Sequence, residues 1–182
     1  MHRKKPPGWQ AYNIRAKQMN NENTKKESQC KGQCECGNTN FTIQGEPIFR
    51  LFCHCTICQE FNNTAYSDIT VFHSKDVHLH DKEKVNFKKY KSPPAVQRGK
   101  CIACNKPAIE FLDLPLLPSL TIIPSANIPS GQFLPEPSNH VFYHRRIADI
   151  NDTLPKHSGF IKSQAVFIAK LLPGLLRRFN NT

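Results

Sequence analysis

The sequence predicts an all-β domain preceded by a basic tail and followed by one helix. Two observations predict the β class: short runs rich in β-branched and aromatic residues, and Gly, Pro, Asn or Asp breaking the chain between them. A third sets the ends. Residues 1 to 28 carry almost no apolar periodicity, whereas residues 161 to 182 show apolar residues at helical spacing.

In chain order the expected strands are TNFTIQG (39 to 45), IFRLFCH (48 to 54), YSDITVF (66 to 72), VHLHD (77 to 81), VNFKKY (85 to 90), PAIEFLDL (107 to 114) and HVFYHRRI (140 to 147). Their shortness and spacing imply antiparallel pairing. Residues 115 to 138 hold six prolines, at 115, 118, 124, 129, 135 and 137. Proline suits neither a helix interior nor a central strand, so this stretch reads mainly as a long connection, with a short strand at LTIIP. In the last zone Val166, Phe167, Leu171, Leu175 and Phe179 recur at helical spacing, with Lys170, Arg177 and Arg178 among them. Pro173 and Gly174 are expected to kink or break this helix. It reads as docked on the domain or on a second subunit, with an anionic membrane surface as the alternative.

Three zones result: a flexible, disordered basic tail (1 to 28), a folded domain (29 to 160) that holds every cysteine, and a C-terminal amphipathic helix (161 to 182). A chain of 182 residues suits one domain with extensions. The net charge of +11 is unevenly spread, with Arg3, Lys4, Lys5, Arg15, Lys17, Lys25 and Lys26 in the tail against Glu22 and Glu27. The tail reads as solvated, with phosphate binding as the sharper alternative. No apolar run reaches the roughly 18 residues of a membrane span, and no signal-peptide core follows the basic start. The expected compartment is therefore the reducing cytoplasm, where eight cysteines serve metals rather than disulfides.

Those cysteines stand at 30, 34, 36, 53, 55, 58, 101 and 104. Cys101-x-x-Cys104 suits a tight turn that aims two thiolates at one ion, and Cys34-x-Cys36 supplies a second pair between Gly32 and Gly37. Joined, the pairs make a closed, structural four-cysteine zinc site coupled to folding. Cys53, Cys55 and Cys58 remain as a CxCxxC triplet. A disulfide between residues two apart bridges badly, and iron–sulfur runs carry four cysteines at other spacings, so zinc is the preferred ion. Three thiolates with an open fourth position describe a catalytic site, and their softness suits a sulfur-containing substrate. Cys30 is the rival fourth donor. It is expected instead as a free exposed thiol at the edge of the tail.

GQCECGNTNFTI, CHCTICQ, CIAC and PSNHVFYHRRIADINDTLPKHSGF, in that order, resemble the glutathione-dependent formaldehyde-activating enzyme family, which also includes centromere protein V. The resemblance covers about residues 28 to 160. It implies a tent-like fold of antiparallel sheets, a structural zinc at Cys34, Cys36, Cys101 and Cys104, and a second zinc at Cys53, Cys55 and Cys58. Two zinc ions per chain follow. It also implies a carbon-sulfur lyase acting on the adduct of glutathione and formaldehyde, S-(hydroxymethyl)glutathione. Asn105 stands where the family usually has glycine, which asks for a left-handed Asn after Cys104.

Splitting or forming such an adduct needs a stabilised thiolate and a proton moved on or off a hydroxyl. His54, within CHC, and His140 are the candidate proton carriers. The competing reading packs His54 away from the metal and uses His140 at the start of a strand. Arg145, Arg146, Lys88 or Lys89 could meet the carboxylates of a glutathione adduct, or be solvated strand residues. The expected partner is a small thiol or glutathione adduct. A second functional class is a zinc-stabilised binding module whose basic tail contacts nucleic acid or filaments.

Overall fold

The computed structural model describes residues 29–91, 96–113, 115 and 118–179, with side chains as far as Gly174. The basic tail expected over 1 to 28 lies outside the described residues. What is described is mostly β, with two helices. The strands are β1 (Cys30–Gln33), β2 (Asn40–Ile43), β3 (Phe49–Cys53), β4 (Ser67–His73), β5 (Val77–Leu79), β6 (Val85–Lys89), β7 (Val96–Cys101), β8 (Pro107–Leu112), β9 (Leu120–Pro124), β10 (His140–Val141) and β11 (Lys156–His157). Helix α1 spans Thr56–Asn62 and α2 spans Phe160–Phe179.

The strands form two open sheets, one ordered β1-β2-β5 and one ordered β11-β10-β3-β4-β9-β8-β7-β6. Pairing is antiparallel except at one edge, where β10 runs parallel to both β3 and β11. Two-residue alternation explains the two main core clusters. In β4, Ile69 and Val71 face a cluster with Phe49, Leu51, Leu112 and Leu171, while Phe72 faces one with Phe41, Ile43, Ile109 and Ile123. The first cluster lies under α2, and the second joins β2 of the small sheet to the large one. Each large apolar side chain fully buried there stabilises the fold by about 1.5–3 kcal/mol.

Four expectations need correction. The short strand expected at LTIIP forms as β9, but it is a central strand, lying between β4 and β8 with all five of its residues buried, where the prolines were expected to keep the stretch out of the sheet interior. Its prolines are tolerated because Pro118 precedes the strand and Pro124 ends it. The strand expected over 140 to 147 stops at Val141, since Phe142 adopts φ 55° and turns the chain into a 3-10 turn at Tyr143–Arg145.

Helix α2 continues through Pro173 and Gly174. Leu171 is buried, Phe49 and Phe167 meet edge to face with centroids 5.2 Å apart, and a Cβ on Gly174 would come 2.7 Å from Ile48 Cγ2. Tertiary packing thus overrides the local cost of proline, and glycine is what lets the helix approach Ile48. Finally, α1 interrupts the expected all-β reading. Its start is capped by Cys55, whose Sγ accepts from the Cys58 amide at 3.4 Å, and its end by Asn63 in the left-handed region at φ 53°.

Candidate metal centre and active site

Two groups of cysteines have sulfur atoms within 4.8 Å of one another: Cys34, Cys36, Cys101 and Cys104, and separately Cys53, Cys55 and Cys58. Either group could hold a metal ion. In the first, Cys34 and Cys36 follow β1 on one turn while Cys101 ends β7 and Cys104 lies in the turn before β8. Sγ of Cys36 is 3.6 Å from that of Cys34 and 3.8 Å from that of Cys101. The Thr39 amide donates to Cys34 Sγ at 3.3 Å and Asn38 Nδ2 to Cys101 Sγ at 3.7 Å. Burial works against ionising Cys101, but hydrogen bonds from Thr39, Asn38 and the Cys104 and Ala103 amides bring its thiol down to about 5. Asn105 takes φ 55°, the left-handed conformation expected after Cys104.

The second group is built at the end of β3, where Cys53 shares its face with Phe49 and Leu51. The chain then turns at His54 so that Cys55 caps α1 and Cys58 sits in the first turn. Neighbouring groups clamp this turn. Gln59 Nε2 donates to the carbonyls of His54 at 2.9 Å and Arg145 at 2.8 Å, Asn62 Nδ2 to the Cys58 carbonyl at 2.9 Å, and the His54 amide to the Val141 carbonyl at 3.0 Å. Hydrogen bonds from the Cys53 and Cys58 thiols pull Cys55 down to about 3, opposed by burial and helped by the Cys58 amide and the Arg98 charge. Hydrogen bonding to Cys55, with burial behind it, pushes Cys53 well up. Three crowded sulfurs sharing protons around one thiolate form a donor set that a soft divalent ion would fit in place of those protons.

Two residues that spacing alone did not single out complete the surroundings. Arg98 of β7 stands opposite Glu110 of β8 in the cross-strand register and pairs with it through Nη1 and Oε2. Its Nη2 lies 3.8 Å from Cys58 Sγ. Glu110 is 1% exposed, burial pushes its carboxyl up to about 7 against the pull of Arg98, and Oε1 has no hydrogen-bond partner among the described residues. The available sequence signal was a lone acid within the apolar run PAIEFL.

His54 does not join the cysteine sulfurs. Its buried ring packs against Tyr66, Tyr143 and His140, with Nε2 2.9 Å from His140 Nδ1. His140 Nε2 in turn lies 2.7 Å from Asp152 Oδ2, and Asp152 is held by Lys156 Nζ at 2.6 Å. Hydrogen bonds from Lys156 and then His140 bring Asp152 down to about 2, so it accepts as a carboxylate. Burial, then the charges of His140 and Arg146, lowers His54 to about 4. Nδ1 of His54 is buried and has no partner among the described residues.

Cys30 belongs to neither metal group. Contrary to the exposed thiol expected, it is half-buried in β1 opposite Ile43, packed on the second core cluster, and burial raises its thiol. Arg145 ends the 3-10 turn and Arg146 follows it, both exposed rather than on a strand, and Arg146 stacks on Tyr143 and pairs with Asp149 at 2.5 Å. Lys88 and Lys89 are exposed on the edge strand β6, Lys88 lying over the Tyr90 ring. No helix among the described residues is long and apolar enough to cross a membrane.

The profile of the family described as glutathione-dependent formaldehyde-activating enzyme matches residues 29–145, which contain both cysteine groups. No curated protein matches the chain. Among solved structures, the chain is similar to a Rhodobacter sphaeroides protein determined as a structural-genomics target, at 14% identity and TM-score 0.43, with 56% of this chain and 90% of that chain covered. Since the family profile spans well over half of the sequence, the chain belongs to the glutathione-dependent formaldehyde-activating enzyme family.

Proposed function

We propose that this protein is a cytoplasmic, zinc-dependent enzyme of the carbon-sulfur lyase type, acting on a small thiol adduct such as S-(hydroxymethyl)glutathione. The observation that carries this reading is a three-cysteine group, two of its members buried, separate from the four-cysteine group, in a chain of this family. Cys34, Cys36, Cys101 and Cys104 would hold one zinc as a structural tie between β1 and the β7–β8 turn, and Cys53, Cys55 and Cys58 would hold the second. A zinc ion bound by the triplet would supply Lewis acidity toward a hydroxyl oxygen and a soft site for sulfur.

The chain's own residues supply the rest. The three cysteines are placed by the end of β3 and the first turn of α1, so their spacing is set before any ligand arrives. His54, whose buried ring does not join the sulfurs, is assigned to hold the turn between Cys53 and Cys55 through its packing and its bond to His140. In the uncharged chain of hydrogen bonds, Asp152 accepts from His140 Nε2 and His140 Nδ1 accepts from His54 Nε2, which leaves Nδ1 of His54 as a bare acceptor. Residues 29 to 160 form the catalytic domain in this reading, with α2 as its docked C-terminal helix.

The test joins metal content with turnover of a glutathione and formaldehyde mixture. The wild-type chain is expected to carry about two zinc ions and to consume the adduct, while Cys58→Ser keeps the fold, loses one zinc and abolishes turnover. A folded wild-type chain with two zinc ions and no turnover overturns the reading.

A further inference from the structure

The two cysteine groups differ in what stands beside their sulfurs. Around Cys34, Cys36, Cys101 and Cys104 the donors to sulfur from other residue types are neutral, the Thr39 amide and the Asn38 side chain. The triplet instead has a guanidinium. Arg98 Nη2 lies 3.8 Å from Cys58 Sγ, and its side chain is only 11% exposed.

We propose that Arg98, held in place by Glu110, is the fixed counter-charge of the triplet and makes a metal held there favour an anionic fourth donor, such as the thiolate of a small thiol. The inference rests on the proposed function and names a positioning residue within that site. Three thiolates and a divalent ion leave one net negative charge, and an anionic fourth donor raises it to two. Burying that charge is costly without a compensating cation, because Cys53 and Cys58 are 6% and 4% exposed. Arginine is suited to the task, since its guanidinium stays charged at every relevant pH and its fork holds two partners at once.

Three contacts fix the fork. One arm pairs with Glu110, the other reaches Cys58, and the plane stands over Phe61 at 5.5 Å. Glu110 is itself an expensive group, almost fully buried with Oε1 unpaired. Placing Arg98 gives that cost a reason.

The experiment uses cobalt(II) in place of zinc in the full chain and follows the sulfur-to-cobalt charge-transfer and ligand-field bands, with Cys58→Ser as the blank for the four-cysteine site. Wild type, Arg98→Gln and Arg98→Lys are titrated with glutathione, azide and imidazole. Wild type is expected to gain a charge-transfer band with glutathione. Arg98→Gln should weaken glutathione and azide by at least about tenfold while leaving neutral imidazole within about twofold, and Arg98→Lys should retain most of the anion affinity. Equal weakening of all three ligands, or none, overturns the inference, as does a Lys variant as impaired as Gln. Should Arg98→Gln fail to fold, the Lys variant decides: anion affinity near wild type supports a role of charge, and anion affinity reduced about tenfold overturns it. A wild-type chain that takes up no thiol at cobalt removes the proposed function and this inference together, whereas unchanged anion binding in a folded Arg98→Gln removes the inference alone.

Discussion

The four-cysteine group and the three-cysteine group offer the same donor atom from very different scaffolds. The first draws two pairs from segments far apart in the chain, β1 and the β7–β8 turn, and leaves Cys36 exposed. The second draws all its donors from six consecutive residues, hides two of them, and has a buried Arg98–Glu110 pair at its side. A group that joins distant segments contributes to the stability of the whole domain. One built from a single turn contributes little to closing the fold, and is therefore free to serve chemistry.

The largest expected effect tests the structural half of this contrast. Cys101→Ser should unfold the chain or lower its stability by more than about 5 kcal/mol, comparable with the whole stability of an ordinary domain, as read by near-ultraviolet circular dichroism and urea titration. A folded Cys101→Ser with normal stability would show that the first group is not a tie at all.

Glu110 gives the next effect. Its folded-state value of about 7 lies above the ordinary 4.5, so the folded chain holds this proton more tightly than the unfolded chain does. Its contribution to stability is full below pH 4.5 and is lost as the pH rises to about 7, amounting to at most about 3 kcal/mol. Glu110→Gln should flatten that part of the stability profile between pH 5 and pH 8, measured by urea unfolding of both proteins. An unchanged slope would mean that Glu110 is ionised at an ordinary pH.

Cys58→Ser should cost only about 1–2 kcal/mol of stability, since the helix cap on Cys55 and the clamps from Gln59 and Asn62 remain. Unfolding comparable to that of Cys101→Ser would erase the distinction between the two groups. The smallest effect belongs to Asn105→Gly, a change of less than about 1 kcal/mol, because φ 55° is tolerated by Asn and free for Gly. Thermal melts of the two proteins would check it.

Much of the fold was legible because alternation and breakers are local signals. IFRLFCH, YSDITVF and VNFKKY became β3, β4 and β6 within a residue or two. The cysteine groupings were legible as well, since CxC, CxCxxC and CxxC report how turns can aim sulfurs. Where local rules were applied to buried segments they failed. LTIIP was legible as a short strand but its prolines argued against a central one, yet β9 is buried between two neighbours, and Pro173 argued for a kinked or broken helix that continues unbroken where it packs on Phe49 and Ile48.

By itself, then, the sequence determined the β class, the two sets of cysteines and the left-handed turn after Cys104, all of which depend on residues a few positions apart. Only the tertiary structure decided which partners surround the triplet. Arg98 meets Cys58 and Glu110 because sheet register places β7 against β8 and α1 over them, and His54 meets His140, which in turn meets Asp152, because β10 returns parallel to β3. Such contacts join residues 12 to 86 positions apart, and no local pattern encodes them. The physical reason is that register and burial are collective properties of the packed sheets, while spacing belongs to the chain alone.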